Sequence, residues 1–421
     1  MPEQTLARAD DQSSTMAQPY AAQKRIEAID MLRGFTIFGI LLVNMPLYGW
    51  PSWGPMRAIR AQQAYGPIND AASWFLWLFA EDKFYPLLSF LFGLGFSIQL
   101  ARLASPSAHF LSIYIRRLLV LLLIGLVHGL LVWPGDILVT YALMGFLLLL
   151  FRKCGQTATL TFAIVFLLLP IVLFPIGSDL HGRLFSHIVG SDIDYKDLWN
   201  EALRVFSSGT YQEITLERTR AMSWNLCGPI SMLQILGLFL FGLYAGQRGW
   251  FQNLQRHLPF LRKARSWAFA LALVGMLVRA GAFHLSSVMG PLFGGFGEEV
   301  LDTTGNLALS FFYASAIVLL AHRPVWKSRL APLAAVGRTA LSNYLLQSII
   351  CTTIFYSYGL QLFGKVGPAA GLALSIAIYL IQVPLSVWWL GHFRSGPMEW
   401  VWRSLTYATA QPMRFLPRPG Q

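Results

Sequence analysis

Arg33 and Asn44 lie eleven residues apart in the first apolar stretch of the chain. That spacing is close to three helical turns, so both fall on one helix face with a rise of about 16 Å between them. Asp30 precedes Arg33 by three residues and lies near the same face. A guanidinium at one end of such a line can hold phosphate by charge-assisted bonds, and a carboxamide at the other can orient a carbonyl. The plainer reading is a basic anchor at a membrane boundary with an Asp–Arg pair, plus an asparagine that packs helices. A second constellation begins at His128, near the end of the third apolar stretch, and continues through Trp133-Pro134-Gly135 to Asp136. Pro-Gly predicts a tight turn. His128 then sits roughly 8 Å short of Trp133, and Tyr141 sits about 8 Å into the next helix at similar depth. A neutral imidazole facing a carboxylate and a phenol suits general-base chemistry. The plainer readings are an N-cap for Asp136 and an interhelical hydrogen bond for His128.

Other polar residues interrupt the apolar background. Glu81-Asp82-Lys83 follows an apolar run from Trp74 to Ala80, which suggests a re-entrant or interfacial segment at the outer mouth or a self-compensating charge cluster. Asn343 and Gln347 share a helix face, with Arg338 at the entrance to that helix; together with Arg279, His284 and Gln382 these groups suit interhelical hydrogen bonds. Gly93-Leu-Gly95 lacks the strand–turn–helix setting of a phosphate loop and reads as close helix packing. No metal-ligand spacing and no nucleophile elbow occurs. Cys154, Cys227 and Cys351 are too scattered for a disulfide framework or a zinc site.

The elements that must position these groups follow from composition. Of 421 residues, 55% are hydrophobic and 12% charged, and the mean hydropathy is +0.52. An average soluble domain carries roughly 25% charged residues, so disordered, collagenous and ordinary cytosolic classes are excluded and lipid becomes the solvent. Inside a bilayer each ionisable group costs roughly 2.5–3.5 kcal/mol, which makes the residues above functional suspects. Ten apolar stretches approach the length of a membrane span: 33–50, 83–101, 115–133, 137–152, 158–176, 229–246, 267–286, 306–321, 340–358 and 369–391. With the N-terminus in the cytoplasm, 22 of the 32 lysines and arginines fall on the cytoplasmic side and 8 on the other. That bias predicts an all-α, polytopic integral membrane protein of about ten helices with both termini cytoplasmic. It also turns the net charge of +12 into a topology marker, since the bases are spread over loops and call for no nucleic acid.

The organisation expected is a flexible cytoplasmic tail at 1–23, a five-helix half at 24–176, an extracytoplasmic cap at 177–228, a second five-helix half at 229–407 and a cytoplasmic tail at 408–421. The first 23 residues lack the apolar core of a signal peptide. A second outer loop is expected at about 287–305, rich in glycine, with Glu298, Glu299 and Asp302 and no base.

Several of these segments carry a resemblance. Arg25 to Phe35 followed by Leu-Leu-Val-Asn44 resembles the opening of the YeiB family of bacterial inner-membrane proteins. So do Lys83 to Phe96, Arg116-Arg117 through His128-Gly to Trp133-Pro-Gly-Asp136, Gly337-Arg338 to Gln347-Ser, and the ending Gly396-Pro-Met-Glu399 to Tyr407. The resemblance covers nearly the whole chain outside the tail and the cap. That family is in turn similar to the wider transmembrane acyltransferases, including the acyltransferase-3 proteins and the heparan-glucosaminide N-acetyltransferases, which move an acyl group from cytoplasmic acyl-CoA to an acceptor across the membrane. The acyltransferase-3 pattern has an Arg, ten intervening residues and then a His. Arg33 fits the first position; Asn44 stands at the second and cannot act as a base. Either His128 has taken that role or the chain does not perform that reaction.

The resemblance implies acyl-CoA or acetyl-CoA as co-substrate and a small-molecule or glycan acceptor on the periplasmic side. Arg33 with Arg116, Arg117 or Arg338 would hold the phosphates. Asp30, Asn343 and Gln347 would line the cofactor path, Asn44 would orient the thioester, and His128 with Asp136 would deprotonate the acceptor. It also implies a bacterial inner-membrane location and, by analogy, a homodimer. The rival readings are a transporter or channel for a small metabolite or lipid that uses the same polar path, and a catalytically inactive receptor or scaffold.

Overall fold

The computed structural model describes residues 26–51, 66–102, 108–173, 180, 183–184, 195–226, 228–252, 254–281 and 291–414. The expected tail at 1–23 and the residues His284 and Cys227 lie outside them. Among the described residues there is no β-strand; two facing residues, Phe393 and Arg414, form an isolated bridge. A chain this apolar satisfies its backbone within each segment, and the helix does so completely.

The helices run in chain order as α1 (Glu27–Gly49), α2 (Pro67–Phe79), α3 (Phe84–Arg102), α4 (Ala108–Leu131), α5 (Leu138–Leu148, extended by a 3-10 turn, Leu149–Phe151) and α6 (Gln156–Val172). Then come α7 (Tyr195–Ser208), α8 (Tyr211–Leu226), α9 (Pro229–Gln247), α10 (Leu254–Arg279) and α11 (Pro291–Ala321). The last are α12 (Pro324–Arg338), α13 (Ala340–Phe355), α14 (Pro368–His392) and α15 (Pro397–Tyr407). Proline opens α2, α9, α12, α14 and α15. Its missing N–H costs nothing in a first turn, and its fixed φ already matches the helix.

Each of the ten apolar stretches falls largely within a helix. Five segments are long and apolar enough to cross a membrane: Glu27–Gly49, Pro67–Ala101, Leu111–Leu131, Gly297–Ala321 and Pro368–His392. Leu138–Phe151, Gln156–Val172, Met232–Gln247 and Ala340–Phe355 are apolar but shorter. The glycine-rich stretch expected as a loop at about 287–305 is helical from Pro291 onward. At its end Gly305 lies directly against Gly275 and lets α11 approach α10 closely.

One apolar core runs through helices from both sides of the cap. α1 is central and packs on α3, α11, α12, α13 and α14. Its contact with α12 is backbone to backbone. A Cβ on Gly34 would strike the Leu333 carbonyl, and one on Gly337 would strike that of Asp30. The Asp-x-x-Arg-Gly and Gly-Arg-Thr segments, distant in the chain, therefore meet at this crossing.

The polar contacts sort into two ends. At one, α7 and α8 form the cap: Tyr211 Oη and Arg218 donate to the Leu131 carbonyl at 2.7 and 2.8 Å, and Asn225 donates to that of Pro134 at 3.0 Å. Arg218 is fully buried and also donates to Tyr358 Oη at 3.0 Å. At the other end α15 lies across the helix mouths. Trp402 Nε1 donates to the Arg117 carbonyl at 2.9 Å, and the Glu399 carboxylate accepts the Leu341 and Ser342 N–H groups at the start of α13, at 2.7 and 3.2 Å. An anionic side chain there satisfies N–H groups that the helix leaves unpaired.

Candidate functional site

His128 is three residues from the end of α4, where the helix gives way to the Trp133-Pro134-Gly135 turn. The turn carries the chain straight into α5, so Asp136 comes back beneath the imidazole. His128 Nδ1 lies 3.5 Å from Asp136 Oδ2, and the side chains are 3% and 1% exposed. The geometry falls short of a hydrogen bond, and neither ring nitrogen of His128 has a hydrogen-bond partner among the described residues. Asp136 accepts the Leu138 N–H at 2.8 and 3.1 Å as well. Capping α5 and facing His128 are therefore simultaneous, and the first holds the carboxylate in place for the second.

The phenol beside the imidazole is Tyr344 of α13, with ring centroids 5.3 Å apart. Tyr141, expected in that position, turns instead to Ser89 Oγ at 2.7 Å and the Tyr85 carbonyl at 3.3 Å. The reason is rotational: Tyr141 has the predicted depth but faces α3. Trp133 and Tyr48 complete an aromatic wall, with Trp133 6.4 Å from His128 and 4.2 Å from Tyr48 between centroids. Tyr48 is fixed by Ser348 Oγ at 2.7 Å. The Met222 thioether of the cap packs over Gly129, which closes the site from that side.

A cavity of about 170 Å³ adjoins this cluster. Asn44, Tyr344, Gly135 and Ile137 line it together with Glu81 and Asp82. Gly135 and Ile137 are the chain neighbours of Asp136, while His128 and Asp136 themselves are not among the lining residues. Pro46, two residues after Asn44, removes an N–H from α1 at this level. The Tyr344 hydroxyl is buried beside the Ile137 backbone. Asn44, His128, Asp136 and Tyr344 thus come together, and the chemistry open to them is proton transfer to or from a group held in the cavity.

The remaining candidates lie elsewhere. Arg33 donates to Asp30 Oδ1 at 3.1 Å and passes over Gly95 of α3, whose absent side chain leaves it room. Arg117 sits 3.9 Å over the Trp402 ring, within range of the charges of Arg33 and Arg403. Arg116 donates to the Thr406 carbonyl at 3.3 Å, and Arg338 to that of Arg394 at 3.5 Å. These bases gather at the α15 end. Asn343 and Gln347 belong to a polar seam between α13 and α14: Asn343 Nδ2 donates to Thr339 Oγ1 at 2.8 Å and Ser386 Oγ at 3.0 Å, and Gln347 Nε2 to Gln382 Oε1 at 2.8 Å. Their amides hold two helices together, and neither lines the cavity. Gly93 packs against the Phe239 backbone of α9, as the sequence led us to expect.

Arg279 proves central to a network at the cavity end. It donates to both Asp302 oxygens at 2.9 and 3.1 Å and lies 3.5 Å from Asp82, 3.9 Å from Glu81 and 4.6 Å from the Trp77 ring centroid. The spacing Arg279–Asp302 across two adjacent helices carries no local signal. The one clue was an acidic stretch with no base of its own.

The fold and this site define an all-helical, multi-pass membrane-embedded protein with a polar cluster enclosed in its bundle. Its sequence has close relatives. It is 35% identical over 412 residues to the uncharacterised protein YxaH of Bacillus subtilis, covering 94% of this chain and 98% of that one. It is 31% identical over 405 residues to the uncharacterised protein YeiB of Escherichia coli, covering 92% and 98%. A family described as "Protein of unknown function (DUF418)" matches residues 245–409. The chain therefore belongs to the YeiB-like family that these relatives represent.

Proposed function

We propose that the protein is a membrane-embedded acyltransferase that crosses a bacterial cytoplasmic (inner) membrane ten times, with both termini inside. Acyl-CoA or acetyl-CoA approaches from the α15 end, where Arg33, Arg116, Arg117 and Arg338 offer charge for its phosphates. The acyl group travels along the Arg33–Asn44 face of α1. Asn44 donates to the thioester carbonyl, and His128, oriented by Asp136, takes the proton of an acceptor hydroxyl or amine; the acceptor oxygen or nitrogen bonds the acyl carbon as the C–S bond breaks, and the proton passes to the departing CoA thiolate. The observation that carries this reading is the buried His128–Asp136 pair at 3.5 Å, with an imidazole free of other partners beside the Asn44 cavity. The topology draws support from the segregation of contacts: the cap meets α4 and the α13–α14 loop at one end, and the basic loops with α15 lie at the other.

One comparison tests it. A ligand that binds only the folded state raises stability by about 2.7 kcal/mol at a hundredfold excess over Kd. Acetyl-CoA or a longer acyl-CoA at saturation raises the thermal midpoint of the purified protein, and no shift with either removes the co-substrate from the account. Translocation of a small metabolite or lipid is the second reading, favoured by Asn44 where a base is expected. Flux across proteoliposomes that needs no acyl-CoA would replace the first reading with it.

A further inference from the structure

The hydropathy pattern places 247–266 between two apolar stretches, as a basic connection. In the structure Leu254 to Ser266 is instead the first half of α10 and runs without a break into its apolar second half. That continuity fixes the rotational register between the two. Arg256, Phe260, Lys263, Trp267 and Val274 follow one another at intervals of three, four or seven residues, so they fall on one helix face. All five are exposed, Trp267 at 63%. Beyond Trp267 the face continues through exposed Ala270 and Val274 to Leu277, while Ala272 and Gly275 turn to α11. In a membrane-embedded protein an uncovered apolar face of this kind meets lipid chains.

The charge on this half of α10 is unmatched. The helix carries no Asp or Glu, and among the described residues no carboxylate pairs with Arg256, Arg262, Lys263 or Arg265, all of them exposed. Arg323 adds to them. Gly275 lies against Gly305, and the Phe269 and Phe312 rings are 5.3 Å apart, so α10 and α11 run antiparallel. Arg262 is seven residues before Phe269, and α11 ends at Ala321, nine after Phe312. At 1.5 Å per residue the two lie at one level within about 3 Å. Arg323, exposed and also without a carboxylate among the described residues, therefore stands at the same end, before α12. The next bases are engaged: Lys327 pairs with Glu27 at 2.8 Å, and Arg329 lies 5.3 Å over the Trp326 ring. Phe260 rests on Trp250 with ring centroids 5.3 Å apart, which ties the basic half to the chain leaving α9. Bases and an exposed indole at one level suit the boundary between headgroups and hydrocarbon. From Lys263 to Val274 the rise is about 16 Å, about half of a hydrocarbon core of roughly 30 Å.

We infer that the first half of α10, with Arg323, binds the headgroup phosphate of an anionic phospholipid whose acyl chains lie along Trp267, Ala270 and Val274. The unmatched charge selects a phosphate that carries no ammonium of its own, and each base near an anionic membrane surface contributes about fivefold, or about 1 kcal/mol. The apolar continuation of the same face selects a lipid over a soluble phosphate. None of these bases is among those proposed for acyl-CoA, so the assignment does not depend on acyl transfer.

The experiment uses the full chain in detergent. It is titrated with phosphatidylglycerol and, in parallel, with phosphatidylethanolamine bearing the same chains, and native mass spectrometry reads the lipid bound. Phosphatidylglycerol is expected to bind more tightly. Arg256→Gln/Arg262→Gln/Lys263→Gln is expected to weaken it about tenfold or more and to leave phosphatidylethanolamine as it was. The three positions are exposed and glutamine is a good helix former, so the helix persists; Arg256→Lys/Arg262→Lys, which keeps the charge, retains the preference. A second measurement needs no variant. Raising the ionic strength from about 0.1 to 1 M shortens the Debye length from about 10 to 3 Å and is expected to erase the preference of the wild type. Equal binding of the two lipids, a preference that survives the triple substitution, or one indifferent to salt overturns the assignment. So does displacement of phosphatidylglycerol by glycerol phosphate at matched concentration, which would mark a site for soluble phosphate. Stabilisation by acyl-CoA is expected to be the same in the triple variant as in the wild type, and its loss there alone would assign these bases to the co-substrate and overturn the lipid site. Its absence from both proteins would remove the proposed reaction and leave the lipid site standing, so the two claims fail separately.

Discussion

The imidazole of His128 and the carboxylate of Asp136 face each other at 3.5 Å across the turn between α4 and α5, both sealed from solvent. Trp133, Pro134 and Gly135 lie in the connection between the two helices, and the Leu138 N–H holds the carboxylate. A base oriented in this way contributes about 10²–10⁴-fold to a proton-transfer step. His128→Ala lowers acyl transfer by that factor and leaves helix content and the thermal midpoint near those of the wild type. Asp136→Asn keeps the cap on Leu138 and lowers transfer as well, because the imidazole loses the charge that orients it. Initial rates with labelled acetyl-CoA check both. Unchanged activity in His128→Ala would remove it from the chemistry.

The crossing of α1 and α12 has no room for a side chain. Gly34→Ala and Gly337→Ala each force a Cβ into a backbone carbonyl, and overpacking of this kind costs typically about 1–3 kcal/mol. A lower thermal midpoint is expected for both, larger for the pair than for either alone. A midpoint within error of wild type would mean that the helices separate freely there.

Arg218 anchors the cap. It donates to the Leu131 carbonyl and to Tyr358 Oη and lies 5.2–5.8 Å from the ring centroids of Tyr211, Tyr356 and Tyr358. Arg218→Ala removes a fully buried side chain and leaves the Leu131 carbonyl with Tyr211 Oη alone, which costs about 1–3 kcal/mol and opens the α7–α8 pair to protease. Arg218→Lys does not restore protection, since an ammonium cannot keep the planar fork and the ring contacts together. Limited proteolysis followed by mass mapping reads the result; cleavage at wild-type rates in both variants would refute the anchor.

Glu399 gives a pH dependence at the α15 end. Burial pushes its carboxyl above the usual glutamate range, while hydrogen bonds from Ser342 and Leu341 pull the other way and are outweighed. A group whose folded pKa is raised supports the fold below its unfolded pKa of about 4.3 and loses that support as pH rises through the folded value. Docking of α15 on α13 therefore weakens as pH rises out of the acid range towards neutrality. Glu399→Gln keeps an acceptor for the two N–H groups and flattens that part of the profile. A thermal midpoint whose pH slope is the same in both proteins would contradict the assignment.

How much of this was legible in the sequence depends on what each signal reports. Hydropathy locates helices along the chain, and each of the ten apolar stretches lies largely in one. The Pro134-Gly135 turn brings His128 and Asp136 together because it is local. Tyr344 was missed because it is one aromatic in an apolar run, and a helix apolar on all sides gives no moment to say which face meets which neighbour. The same uncertainty placed Tyr141 at the right depth on the wrong side. Glu399 stood within a recognisable closing motif, yet its role as the anionic cap of α13 depends on two segments 58 residues apart meeting at one helix end. The glycines after Pro291 suggested a loop; Gly305 instead serves a close crossing with Gly275 of α10.

In the proposed reaction an acyl group passes from a donor on the Arg33 side to an acceptor on the cap side by way of His128. Sealed inside-out vesicles, with the α15 end facing the medium, receive acetyl-CoA labelled on the acetyl carbon. Label is expected on material inside the vesicles for the wild type, and its loss in both His128→Ala and Arg33→Ala. Label that never leaves the medium in the wild type, or that enters equally in His128→Ala, would contradict it.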